Sequence, residues 1–548
     1  MSKNTEIKIV NSALWAAYGD VLGFPTELVS ETDFKKRNSI EKIISPIHWT
    51  KRVGGMFGPD VNFPAGSYSD DTQLRLSTSR AIRGDGFFDV ESFAKIELPV
   101  WLNYALGAGR GSKAAAANLA LKESTWSQNF FNHENSCYWE GGGNGAAMRI
   151  QPHVWLGYAH GIEAIIPDVV RNTVCTHGHP RAIIGAAIHA TFLLAYLTSG
   201  STIPPSAWDS LGVDAASLAY DFLVTDEELS LVWVPNWERL SNRKLKDVWA
   251  ETISEWVGSA QSAMIYCSKA TSKEATYRKI LTELGGFSSA ERGSGLKTPL
   301  YATVLSWLYK DENPEDALLL SANTFKSDTD SIATMAGALI GSISNEEPAG
   351  PIQDFQYIKS EAARLYSIGA GNKAGSFEYP DLLSWFAPKT QSDAFVVEKG
   401  NAFLSGIGQL KLSGEEFRSQ KGNKLLWQWS SLPFGQTVLI KRRDIKYELN
   451  SVKEVESPNT TYTLENNQAI KTSSERKIKS AINFEILQMS YDGGIGINDR
   501  TRECIRSGFD PKIIGEHLLA LSSGIDGIEK VIAFAAIIAK AKMARSNK

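Results

Sequence analysis

The chain reads as a mainly all-α protein: a compact many-helix domain over 1–390, then a smaller α+β domain with an antiparallel sheet over 391–548. Three observations predict this. Apolar residues recur at helical spacing through most of the first 390 residues. Beyond about 390 the period becomes two: Ile445, Tyr447 and Leu449 alternate with Asp444, Lys446 and Glu448, Trp427 and Trp429 flank Gln428, and Tyr462 and Leu464 alternate with threonine. Finally, 548 residues exceed what one ordinary core holds, so two domains are expected.

Composition narrows the class. Apolar content of 43% with 22% charged residues is that of a soluble globular protein. Residues 391–548 hold 23 Lys and Arg against 18 Asp and Glu, a net +5, while 1–390 carry −9. A basic tail on an acidic body is a weak hint of an anionic partner, and ordinary scatter of surface charge is the commoner explanation. Cys137, Cys175, Cys267 and Cys504 are far apart and form no CxxC, so neither a zinc site nor a redox pair is expected. So few cysteines fit a reducing compartment. The N-terminus shows no apolar core followed by a cleavage site. The late apolar run Val531–Ala539 is too short to span a bilayer and is flanked by Lys530 and Lys540. A cytoplasmic protein without a membrane partner is expected.

The elements follow in order. Ile7, Val10, Leu14 and Ala17 share one helix face over 6–18, with a stop expected at Gly19-Asp20 and a turn at Gly23-Phe24-Pro25 leading to Glu27. Residues 50–68, rich in Gly and Pro, read as a loop. Ser69 can cap a helix opening at Asp70. Helices are expected over 88–122, and Gly141 to Gly145 form a glycine-rich loop. A helical pair over 163–199 is broken by Thr176-His177-Gly178-His179-Pro180. Trp208, Trp233, Trp237 and Trp249 are expected to fill a core rather than stack on a base. Helices return over 251–285 and 298–309, and Glu315 to Asn323 leads into an acidic stretch at 327–331. Asp510-Pro511 starts a late helix by the cap-then-proline rule, and a last one runs from about Gly527.

The chemistry gathers at two acidic stretches, Ser69-Asp70-Asp71-Thr72 and Ser327-Asp328-Thr329-Asp330-Ser331. The second runs into Ile-Ala-Thr-Met-Ala-Gly-Ala-Leu-Ile-Gly. Four carboxylates with adjacent hydroxyls suit a hard divalent cation, or two. The plain alternative for the first stretch is a capped helix whose acids favour its dipole. Ala333, Ala336, Gly337, Ala338 and Gly341 allow another helix to come close. If that is the first helix, Asp20 and Glu27 arrive beside the acids. The glycine loop can cradle phosphate or simply turn the chain. His177 and His179 are poor company for an oxygen-ligand site. His177, next to a helix start, is a candidate for a substrate hydrogen bond.

Taken together, GDVLG with Asp20, PTEL with Glu27, SDDT at 69–72, GNGAAMR at 143–149, Thr176-His177 and SDTDSIATMAGALIG at 327–341 resemble the ADP-ribosylglycohydrolase family, in the family's order. The likeness covers roughly 1–385, and nothing after 390 takes part. It implies an all-α catalytic domain with two Mg²⁺ or Mn²⁺ ions, held by Ser69, Asp70 and Asp71 and by Asp328, Asp330 and Ser331. It also implies ADP-ribose contacts from Gly143, Asn144, Gly145 and His177, with Asp20 grouped among the substrate residues, and Glu27 on a flap over the metals. Where the family has Thr and then Gly-Asp-Thr-Asp-Thr, this chain has Ser69, Ser331 and Ser327, preceded by Lys326. The serines keep their oxygens, while Lys326 either folds over the entrance or faces solvent.

The implied activity is metal-dependent hydrolysis of the glycosidic bond of ADP-ribose attached to a macromolecule. The cations bind the ribose and activate a water, and Asp70, Asp71 or Glu27 takes its proton. A protein is the first expected target; a nucleic acid docked by the basic tail is another. A catalytically silent binding or structural protein on the same fold is the competing expectation.

Overall fold

The computed structural model describes residues 3–133, 136–420, 424–447, 497–522 and 527–546. The chain forms two compact units, Met1–Leu449 and Asn450–Lys548. The first is a helical body carrying small antiparallel sheets. In the second, the described helices Ile497–Arg506, Pro511–Leu521 and Gly527–Ser546 bury Cys504, Leu521, Phe534 and Ile538 together. Asp510 caps its helix as expected, accepting from the Lys512 and Ile513 amides. On the last helix Ile532 is exposed and Phe534 is buried.

The centre of the body is the crossing of helix α1 (Lys3–Gly23) with helix α2 (Thr329–Gly341). A Cβ on Gly19 would lie 2.2 Å from the Ala333 carbonyl oxygen, and one on Gly337 would lie 2.2 Å from that of Trp15. These backbones therefore touch only because side chains are missing. Ser12 Oγ donates to the Ala338 carbonyl at 2.8 Å, and Thr334 Oγ1 donates to that of Ala16 at 2.7 Å. The expected packing of the first helix on the small-residue helix is what forms. The expected stop at Gly19-Asp20 is not: α1 runs on to Gly23, because Gly19 serves close approach and does not end the helix.

The helical pair around Thr176–Pro180 spans Ile162–Val174 and Pro180–Ser199. The second of these is long and apolar enough to cross a membrane by composition, and it lies buried in the body. The four tryptophans Trp208, Trp233, Trp237 and Trp249 are buried. Residues 50–68 hold more than a loop. Strands β1 (Trp49–Arg52) and β2 (Asp60–Phe63) pair antiparallel, since Val61 and Phe63 face inward with charged or polar residues between.

The change to strands after 390 is real. Phe395–Glu398, Asn401–Leu404 and Gly408–Gln409 make one three-stranded sheet. Lys411–Arg418, Leu425–Ser431 and Thr437–Arg443 make another, all antiparallel. The alternation from Asp444 does not continue the last strand: residues 444–447 bend away, and the stretch around Tyr462 and Leu464 lies outside the described residues. The sequence boundary at 390 marks the switch from helix to strand, while the compact unit continues to Leu449. The reason is packing. Val438 and Ile440 join the main core, and Phe417, Trp427 and Leu439 share a second cluster with Phe24, Trp49, Val61 and Phe63.

A buried ion pair secures the seam between helices and sheet. Arg80 makes a two-pronged pair with Glu97, both contacts 2.8 Å, and both side chains are almost fully excluded from water. Arg80 also donates to Gln436 at 2.6 Å, and Tyr379 donates to Glu97 at 2.7 Å. The chain after 390 thus supplies Gln436 to this network and Val438 and Ile440 to the main core. A chain cut after Leu449 is therefore expected to melt cooperatively. A chain cut after 390 is expected to aggregate or lose its cooperative transition in circular dichroism.

Candidate active site

The floor of the site is set by α1. Asp20 is fully buried, and its carboxylate accepts from the Ser69 amide at 2.9 Å, the Thr72 amide at 3.0 Å and the Thr72 hydroxyl at 2.6 Å. It thereby fixes the first turn of the helix Asp70–Arg80. Asp20, expected among the substrate residues, has its oxygens occupied by that turn and does not line the cavity. Ser69 caps the same helix, accepting from the Asp71 amide at 3.2 Å, and is buried behind the cavity wall. Thus the capped helix and the acidic cluster are the same object.

The second acidic stretch is anchored to α1 as well. Thr329 Oγ1 donates to the Gly23 carbonyl at 2.8 Å, and the Leu28 amide donates to the Ser327 carbonyl at 3.2 Å. Lys326 adopts φ +71°, faces solvent and sends its amide to the Val29 carbonyl. The strained position in this loop is therefore Lys326, while Ser327 is buried and donates to the Thr324 carbonyl.

The two stretches meet. Ser331 Oγ lies 3.3 Å from Asp71 Oδ1, although the residues are 260 apart in sequence. Carboxylate oxygens of Glu27, Asp328 and Asp330 lie within 4.8 Å of one another. These residues, with Asp70 and Asp71, line a cavity of about 960 Å³. Gly143, Asn144, Gly145 and His177 line it too. Asn144 also turns toward the acids: its side-chain amide donates to Asp328 Oδ2 at 2.7 Å, and its backbone amide donates to the Gly293 carbonyl at 3.0 Å. His177 is buried, with Nδ1 2.7 Å from Thr176 Oγ1.

Burial pushes the Asp70, Asp71 and Asp330 carboxyls well above the usual range, and the neighbouring carboxylates push them further. Burial raises Asp328 as well, against hydrogen bonds that favour its charge, Asn144 among them. Glu27 is raised by burial and pulled down by Lys51, whose Nζ is 3.4 Å away. Lys51 lies 4.3 Å from the centre of the Phe24 ring and comes from β1. The sequence reading missed Lys51, because nothing in 50–68 marks a strand except the inward residues of β2. It also missed Gly107, whose φ is +95° and whose Cβ position would lie 2.8 Å from Asp70 Oδ1.

The donor set fits a divalent cation. All the converging atoms are oxygens, the hard ligands of Mg²⁺ and Mn²⁺. Asp71 Oδ2 is buried with no hydrogen-bond partner among the described residues, an unmet acceptor of the kind folded proteins rarely keep.

Fold and site together define a helical protein with a carboxylate-floored cavity. The model of the ADP-ribosylglycohydrolase family matches residues 1–348, and the chain belongs to that family of hydrolases. No curated protein matches. Among solved structures, the chain is similar to one described as an ADP-ribosylglycohydrolase-related protein complex. The two are 17% identical, the match covers 67% of this chain and 100% of that one, and the TM-score is 0.42.

Mn²⁺ at about 100 times its Kd is expected to stabilise the protein by about 2.7 kcal/mol in thermal melts, and EDTA to reverse this. Asp330→Ala is expected to abolish the shift. Raised carboxyl pKa values mean that protons compete at higher pH than for exposed aspartate. Titration calorimetry should therefore show Mn²⁺ affinity falling from pH 7.5 to pH 5.5.

Proposed function

We propose that the protein is a divalent-cation-dependent glycohydrolase that releases ADP-ribose from a modified macromolecule, with a protein as the favoured target and the cytoplasm as its place of action. The observation that carries this reading is the meeting of Asp71 with Ser331 beside Glu27, Asp328 and Asp330 on the floor of one large cavity. Asp70, Asp71, Asp328, Asp330 and Ser331 would hold two Mg²⁺ or Mn²⁺ ions, with Ser69 behind them. Bound there, the ions supply Lewis acidity toward the ribose hydroxyls and toward water.

The chain's own residues do the rest. Asn144 keeps Asp328 turned toward its neighbours. Glu27 sits over the acids on the short turn that follows α1, partly open to the cavity. Of the candidate bases, it alone pairs with a cation of the protein, Lys51, and is free of the helix-capping contacts around Asp70 and Asp71. We assign it the proton from the attacking water. The water oxygen bonds to the ribose anomeric carbon. The bond from that carbon to the target's nitrogen or oxygen breaks with its electron pair on the target, which then takes the proton. A carboxylate suits this task when burial raises its pKa above the ordinary range, as it does at Glu27.

The competing reading, a silent ADP-ribose binder, is disfavoured by the complete set of oxygen ligands. A panel of ADP-ribosylated proteins and nucleic acids with Mg²⁺ or Mn²⁺, then with EDTA, tests both. Release of ADP-ribose that EDTA abolishes is expected; metal-dependent binding without release would favour the silent binder. Asp71→Ala and Asp330→Ala are expected to lower kcat at least about a thousandfold with unchanged helical circular dichroism. Glu27→Gln is expected to lower kcat by about 10²–10⁴ while leaving the Mn²⁺-induced thermal shift in place.

A further inference from the structure

His177 sits in the cavity wall, and its neighbours determine where its proton lies. Behind it is Arg149, fully buried in the helical body. Its guanidinium donates to the Gly145 carbonyl at 2.8 Å, to the side chain and carbonyl of Asn172 at 2.8 and 2.9 Å, and to Thr176 Oγ1 at 2.8 Å. A guanidinium has no acceptor atom, so the direction of the last bond is fixed: Thr176 accepts from Arg149.

Thr176 Oγ1 also lies 2.7 Å from His177 Nδ1. If Nδ1 carried the ring proton, the threonine oxygen would accept twice. Its own hydrogen would then be stranded where only 1% of the residue reaches solvent. If the hydroxyl donates instead, its hydrogen is used and no buried donor is stranded at Thr176. Nδ1 is then the acceptor, and the ring's single proton belongs on Nε2. That atom faces the glycine loop: a Cβ on Gly143 would lie 3.6 Å from it, and one on Gly145 would lie 3.3 Å away. Burial and the Arg149 charge hold the ring's pKa down to about 3, so it enters the physiological range neutral.

We infer that Arg149 and Thr176 are positioning residues that hold His177 as the Nε2–H tautomer, so that the cavity wall presents an uncharged donor to an acceptor oxygen of the bound nucleotide sugar. The identity of that ligand rests on the proposed function; the tautomer does not. The arrangement passes the polarising effect of a buried cation to the cavity through two hydrogen bonds.

The test is ¹⁵N NMR of the imidazole rings in the full, ligand-free chain, with His177 assigned through His177→Gln. The expected result is the Nε2–H form from pH 6 to pH 8. An Nδ1–H signal in the wild type overturns the inference without any variant. Thr176→Val removes the hydroxyl and is expected to shift the ring toward the other tautomer. It should also weaken ADP-ribose binding about tenfold, and Thr176→Ser should restore both. An unchanged tautomer in Thr176→Val would also overturn it. If Thr176→Val fails to fold, the wild-type spectrum alone decides. Loss of the functional reading is seen separately, as Nε2–H in a protein that neither binds nor releases ADP-ribose with Mn²⁺.

Discussion

The site depends on the close approach of two helix backbones. Where Gly19 meets Ala333 and Gly337 meets Trp15, there is no room for a single methyl group. That contact places the C-terminal end of α1 against the start of α2. From there Asp20 organises the turn at 69–72, and the Gly23 carbonyl receives Thr329. The acidic residues are thus brought together by uncharged packing, against their own repulsion. An apolar, tightly fitted scaffold can supply that force because dispersion and burial act over many atoms at once. The repulsion remains in the raised pKa values of Asp70, Asp71 and Asp330, and it makes the cluster receptive to positive charge.

Much of this was legible in the sequence, for identifiable reasons. The small residues of 333–341 announced a close helix neighbour. Two short acidic motifs beside hydroxyls announced a shared oxygen site, and Ser331 and Asp71 do meet. The tryptophans of 208–249 are core residues by pattern and are buried. What the residues did not disclose was direction. Asp20 faces the backbone of its neighbouring turn, and no local pattern distinguishes that from facing a cavity. Gly19 looked like a helix end because glycine serves both turns and contacts. Lys51 and Gly107 became visible only once chain segments far apart in sequence were side by side.

The strands after 390 teach a related lesson about boundaries. The period of the sequence changes there, but period reports secondary structure and not independence. Trp427 fills the space beside Gly54 in the β1–β2 turn, and Asn103 binds the carbonyls of Gln391 and Lys441. Asp354 accepts from both Tyr68, next to the first acidic motif, and the Thr437 amide. The sheet therefore backs the segment that carries Lys51 and the turn that carries Ser69, although the family match ends at residue 348.

The Arg80–Glu97 pair gives this seam an unusual thermal character. Hydration of ions becomes less favourable as temperature rises, so burying this pair is less costly in warm water than in cold. The oily contacts around it, such as Val438 and Ile440, follow the opposite trend on cooling, when apolar association weakens. Chilling therefore loosens both components of the join, and warming favours its ionic part.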